Sequence, residues 1–196
     1  MKKSLFILLA VLLPFGVVAL VLWHVVKKRR DMNKRDKEAA EKYGWKYFKL
    51  SELDSRKDKS KPIPEKYMKN LDNLVKKVLD PLREKMGQPV YVNSGLRDFT
   101  PTGGSETSDH KIGCAVDIET GKGNAEDNRK MADTLLRMGL PYSQLINEFG
   151  MSWLHVALNP EDNRHRLTIS TGDRSKPKYT HVQSTSKFLV GGELKG

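Results

Sequence analysis

Asp117 restricts the fold more than any other residue. It stands in the run Ile112–Ile118, which reads as a β-strand and is otherwise apolar or small. Burying an unpaired carboxylate is costly, so the chain must bring it a metal, a cation or hydrogen-bond donors. His155 poses the same problem, framed by Trp153, Leu154, Val156 and Leu158. His110 ends a polar loop just before the Asp117 strand. Each residue alone is a weak signal, because a lone histidine is more often structural or superficial. Together they are two imidazoles and a carboxylate, a donor set of the size a catalytic zinc takes while keeping a fourth position open.

The surrounding pattern is α+β, with a small antiparallel sheet flanked by helices. Apolar residues at Met68, Leu71, Leu74, Val75, Val78, Leu79 and Leu82 predict one helix from Glu65 to Met86, with Pro64 at its start and Gly87 at its end. Pro81 predicts a kink or a loosened end. Val90–Val92 reads as a strand, broken by Asn93-Ser94-Gly95. Residues 98–108 read as a polar Gly/Pro loop. A second helix is predicted over Ala125–Arg137, with Asn124 as N-cap and Gly139 as stop. Leu145–Phe149 and Trp153–Leu158 predict a hairpin around Gly150-Met151, and Leu167–Ser170 a further strand. From Thr171 apolar residues thin out, and residues 171–196 are expected to be a loosely ordered tail.

The N-terminus is a different material. Residues 5–26 contain no Asp, Glu, Lys or Arg, and 22 helical residues reach about 30 Å, a bilayer core. One N-terminal transmembrane helix is expected there, within a membrane-anchor or signal segment at 1–26. Residues 27–46 read as a charged linker, and 47–170 as the folded domain. Of a net charge of +11, most lies early: residues 1–60 hold 15 Lys/Arg against 7 Asp/Glu, and residues 61–196 hold 20 against 17. No basic groove interleaved with aromatics is visible, so nucleic acid is not an expected partner. The single cysteine, Cys114, excludes an internal disulfide. Strand alternation turns it away from Asp117, as a small buried apolar residue. His165 and His181 lie in polar contexts and read as surface residues.

Between Phe48 and Thr168 the sequence resembles the zinc D,D-carboxypeptidase and peptidoglycan endopeptidase family in its compact single-domain form. The resemblance runs through Phe48-Lys49-Leu50-Ser51-Glu52-Leu53, Asp80-Pro81-Leu82-Arg83, Ser94-Gly95-Leu96-Arg97 and Gly103-Gly104. It continues with Ser108-x-His110-x-x-Gly113-x-Ala115-x-Asp117, Gln144-Leu145-Ile146-x-Glu148 and Trp153-x-His155-Val156. It implies one Zn2+ held by His110, Asp117 and His155. It makes Arg97 a substrate clamp, whose planar guanidinium suits a carboxylate or carbonyl; Ser108 is a candidate to bind substrate or orient a metal ligand, or else a cap of its loop. Leu96 departs from the tyrosine common in that motif.

The general base departs further. Several relatives carry Asp or Glu three residues before the last zinc histidine, and here that position is Ser152. The hairpin supplies a substitute. With Gly150-Met151 as the turn, Glu148 faces Trp153 and Ile146 faces His155, so Glu148 and His155 are diagonal neighbours on one face. The resemblance thus implies a zinc peptidase acting on peptidoglycan peptides, and the compact form also occurs in phages; with the apolar segment 5–26 the protein is expected to be membrane-anchored, and a monomer. A catalytically impaired wall-binding module is the alternative that Ser152 raises. The basic flank after residue 26 favours a domain inside the cytoplasm. The implied substrate favours an extracytoplasmic one, the expectation adopted here.

Overall fold

The helix expected over Glu65–Met86 forms, with its middle widened. The computed structural model describes residues 2–121 and 124–191, with side chains in the first helix from Val17 onward. The order of elements is α1 (Lys2–Tyr43), α2 (Leu50–Leu53), α3 (Glu65–Leu74), a π-helical segment (Val75–Leu79), α4 (Asp80–Met86), β1 (Val90–Ser94), a 3-10 turn (Asp109–Ile112), β2 (Ala115–Thr120), α5 (Ala125–Arg137), β3 (Gln144–Glu148), β4 (Trp153–Ala157), β5 (Arg166–Asp173), β6 (Lys176–Val182) and α6 (Thr185–Val190). Pro81 explains the π segment. It cannot donate to the preceding turn and its ring crowds the carbonyl four residues back. The Asp80 N–H reaches back five residues to the Val75 carbonyl instead. Asp80 also accepts from the Lys46 and Tyr47 amides at 2.9 and 3.2 Å, so the Asp80-Pro81 motif staples the segment before α2 onto this helix.

The sheet has six strands in the order β1-β2-β4-β3-β5-β6. It is not wholly antiparallel as expected, because β3 and β5 run parallel. One face is apolar: Val116, Ile118, Leu145, Leu154 and Val156 are buried in one core with Leu71, Leu74, Val78 and Leu82 of the α3–α4 helix and Met131 and Leu135 of α5. The other face carries Asp117, His155, Ile146 and Glu148. Period-2 alternation therefore sorts the core to one side and the chemistry to the other. The hairpin has the expected register, with Glu148 opposite Trp153 and Ile146 opposite His155. Its turn is longer than two residues. Phe149, Gly150 and Met151 all have positive φ. Met151 is fully buried and gripped by two asparagines: its N–H donates to Asn147 Oδ1 at 2.7 Å, and its carbonyl accepts from Asn128 at 2.9 Å.

Two expectations need correction. Thr171 does not open a loose tail. β5 continues to Asp173, β6 follows, and α6 plugs the sheet with fully buried Phe188. Period-2 pairing, not apolar content, builds this part, which is why composition misread it; residues 192–196 lie outside the described residues. The charged linker 27–46 is not a free tether. It is the end of α1, where Ala39 is buried, Arg35 donates to Asp54 at 2.6 Å and Asp36 accepts from the Ser51 amide and hydroxyl at 2.7 Å each. The transmembrane helix expected over 5–26 stands apart from these two, without support among the described residues. Among the described residues no helix is long and apolar enough to cross a membrane, and the side chains of 5–16 lie outside them.

Candidate metal centre

Asp117 on β2 and His155 on β4 are directly opposed across an antiparallel pair, and His110 reaches them from the 3-10 turn. His155 Nδ1 lies 2.9 Å from Asp117 Oδ1 and 3.2 Å from His110 Nε2. His110 Nε2 lies 3.3 Å from Asp117 Oδ1. Adjacent corners of a zinc tetrahedron with bonds of about 2.0–2.1 Å are about 3.3 Å apart. The three atoms are thus spaced as three corners of such a site, and among the described residues they form a group able to hold a metal ion. His110 is also in the right tautomer. Its Nδ1 lies 2.8 Å from the Gly95 carbonyl, which only accepts, so Nδ1 carries the proton and Nε2 turns a lone pair inward.

The glycines of the motifs make this possible. A Cβ on Gly95 would fall 2.1 Å from the Leu53 carbonyl. That backbone pairing, with Leu96 N–H donating to Leu53 at 2.8 Å, fixes the carbonyl that orients His110. Gly113 has φ +75, and a Cβ there would meet the Tyr67 carbonyl at 2.8 Å. It turns the chain from the 3-10 turn into β2, which therefore starts at Ala115 and not at Ile112.

Burial alone would raise the Asp117 carboxyl. The two imidazoles, when protonated and no ion lies between them, outweigh it by charge and hydrogen bond and hold the group well below the usual carboxylate range. Glu148 goes the other way. Burial raises it, against a hydrogen bond from the Ser170 hydroxyl and the pull of His155. That direction suits a group that accepts and releases a proton near neutrality. Arg97 is buried, and burial lowers its pKa, opposed by Asp117 and Tyr179. Its Nη2 donates to the Ser108 hydroxyl at 3.1 Å and its Nη1 to that of Ser94 at 3.4 Å. Ser108 thus steadies Arg97. Ser152 does not enter the site; its hydroxyl donates to the Phe149 carbonyl at 3.0 Å. Cys114 is fully buried and burial pushes its thiol up to about 12. His165 and His181 are exposed, as expected.

His110, Asp117, His155, Glu148 and Arg97 all line one open cavity of about 970 Å³. The family model of Peptidase M15 matches residues 46–157, more than half of the chain. The chain belongs to the M15 peptidase family. No curated protein matches it. As an M15 peptidase it is a zinc metallopeptidase, and its His-Asp-His group is placed to take the ion.

The M15 match ends with β4, yet the cavity does not. Tyr179 and Arg174 line it from the β5–β6 hairpin, and Ser170 on β5 holds Glu148. Sequence reasoning missed all three. Glu148, Ser170 and Tyr179 lie in one cross-strand row, Glu148 opposite Ser170 and Ser170 opposite Tyr179. Partial burial, with the charges of Glu148 and Asp117, pushes the Tyr179 phenol up to about 12. The one available signal was Tyr179-Thr180-x-Val182, a run of strand formers shortly after Gly172-Asp173, residue types that favour a nearby turn, which falls at Arg174-Ser175.

Proposed function

We propose that this M15 peptidase hydrolyses peptide bonds in peptidoglycan, as a carboxypeptidase or endopeptidase of the D,D type. The reading rests on one observation: a tautomer-locked His-Asp-His group and a buried carboxylate, Glu148, share the polar face of one sheet inside an open cavity. Zinc bound there supplies Lewis acidity and lowers the pKa of water toward about 7. Arg97 and Tyr179 donate hydrogen bonds to substrate carbonyl or carboxylate oxygens. Glu148 accepts a proton as the water oxygen attacks the carbonyl carbon. As the C–N bond breaks, Glu148 returns that proton to the leaving amine. Ser170 keeps the Glu148 carboxylate oriented between the two transfers. One chain lines the whole cavity, so a monomer suffices.

The same proposal places the domain outside the cytoplasm, where that substrate lies, anchored through residues 5–26. Val17–Val26 supports an anchor: its apolar side chains, Trp23 among them, are exposed on α1, as a surface meant for lipid or protein would be. Lys27 sits over the Trp23 ring at 5.0 Å, an interfacial pairing.

The test is muropeptide digestion with metal analysis of the purified protein. We expect one zinc per chain and shortened or uncrosslinked muropeptides. Zinc-loaded protein that leaves muropeptides intact would end the proposal. Protease treatment of intact spheroplasts tests the placement, and a fully protected domain would overturn it.

A further inference from the structure

We propose that Arg174 is a second carboxylate-binding residue, so that the preferred substrate is a peptide presenting two carboxylates to this cavity, one to Arg97 and one to Arg174. The inference rests on the peptidase reading and adds a selectivity element from outside the matched M15 segment.

Four arginines line the cavity: Arg97, Arg164, Arg166 and Arg174. Two are committed. Arg164 and Arg166 both donate to Asp162, at 2.8 and 2.9 Å. Arg97 holds only neutral hydroxyls, from Ser94 and Ser108. Arg174 has no carboxylate partner among the described residues. Its guanidinium instead lies over two rings, 5.2 Å from the centre of Trp153 and 5.7 Å from that of Phe149. Stacking leaves the N–H fork free to bind a planar anion.

Arg174 is exposed, but its surroundings are built. Phe149 and Trp153 pack ring to ring at 5.5 Å, flanking the hairpin turn that follows Glu148. The Arg174 backbone is fixed from two sides. Asp173 Oδ1 accepts from the Ser175 amide at 2.7 Å and hydroxyl at 2.5 Å, closing the β5–β6 turn. Gly103 of the polar loop packs against it so closely that a Cβ there would fall 2.4 Å from the Arg174 carbonyl. A cation held this way loses little freedom on binding, which favours affinity. Its place is also informative. Trp153 is two residues from His155 and opposite Glu148, so an anion on Arg174 lies along the substrate from the reacting carbonyl and not on it. Peptidoglycan stem peptides carry several carboxylates, on side chains and at the terminus, and can satisfy both arginines at once.

The experiment uses zinc-loaded full-length protein in detergent, in a Glu148→Gln background that stops turnover. Binding of a stem pentapeptide is compared by calorimetry with copies amidated at one carboxyl at a time. We expect amidation of one particular carboxyl to weaken binding about tenfold, as loss of a charge-assisted bond does. With Arg174→Gln added, that one penalty disappears while the penalty at the carboxyl held by Arg97 persists. Arg174→Lys restores part of it, about threefold. The proposal is overturned if Arg174→Gln leaves every amidation penalty unchanged, if it weakens all peptides equally, or if the parent protein distinguishes none of them or binds none. Hydrolysis by protein with Glu148 intact is assayed separately. Selective binding without hydrolysis would sink the peptidase reading and leave the Arg174 assignment standing.

Discussion

The floor of the cavity and its C-terminal wall are made in opposite ways. On the floor, each chemical residue is held by burial. Asp117 lies between buried Val116 and Ile118, His155 between buried Leu154 and Val156, and His110 is 1% exposed with its ring tied to Gly95. On the wall, β6 is mostly exposed along its length. Tyr179 and Arg174 are placed there by strand register and a turn, with little core beneath them. A polar group held by burial must have a partner, so the floor is bound to its ion. A polar group held by register is free to act on substrate. Floor substitutions should therefore remove metal, and wall substitutions should leave metal in place and change rate or selectivity.

The largest effect is expected at His155. His155→Ala removes one of three metal donors and leaves the Asp117 carboxylate with a single imidazole. Zinc in dialysed protein should fall to a small fraction of one per chain, and muropeptide hydrolysis to background. A His155→Ala protein that keeps stoichiometric zinc and activity would break the division between floor and wall at its strongest point.

Glu148 sits on the border, buried like the floor but oriented by the wall. Glu148→Gln keeps shape and the contact with Ser170 while removing the proton acceptor. We expect kcat to drop by about 10²–10⁴, with zinc retained and KM little changed. Loss of zinc in this variant would move Glu148 into the metal-holding group.

This division also explains what the sequence could show. Asp117 and His155 announced themselves because a charge or imidazole in an apolar strand is anomalous on sight. The α5 bounds and the Glu148–His155 register were legible for a related reason: period and turn chemistry are local. Arg174, Ser170 and Tyr179 sit in polar surroundings where a polar residue signals nothing. Their role depends on β5 lying parallel beside β3, a non-local pairing that no short window contains. The docking of α1 through Arg35 and Asp36 was hidden likewise, since charged residues in a charged helix look solvated until Asp54 and Ser51 are brought to them.

Ser170→Ala sharpens the comparison by acting on the border from the wall side. The Ser170 hydroxyl favours the ionised form of Glu148, whose burial already raises its pKa. Without the hydroxyl the carboxyl rises further. Glu148 works as a base only when ionised, so the acid limb of the kcat/KM profile should move to higher pH, with activity at the optimum down about tenfold. Zinc content should not change. A profile with an unmoved acid limb would mean that Ser170 serves β5 packing alone.

Tyr179→Phe carries the smallest expected effect and isolates the wall most cleanly, because it deletes one hydroxyl and no charge. The phenol is pushed up to about 12, so it stays protonated across the working range and can only donate to substrate while its proton remains in place. Removing it should lower kcat/KM about five- to tenfold, the worth of one hydrogen bond to a polar group in a partly dry site. Zinc and the acid limb should stay as in the parent. The alkaline limb should not move either, since the Tyr179 proton is not lost below about pH 11 when its pKa is near 12. An alkaline limb that vanishes in Tyr179→Phe would show a phenol ionising during turnover. That would place Tyr179 with the floor residues, whose protonation the metal site controls, and not with Arg174 on the substrate side.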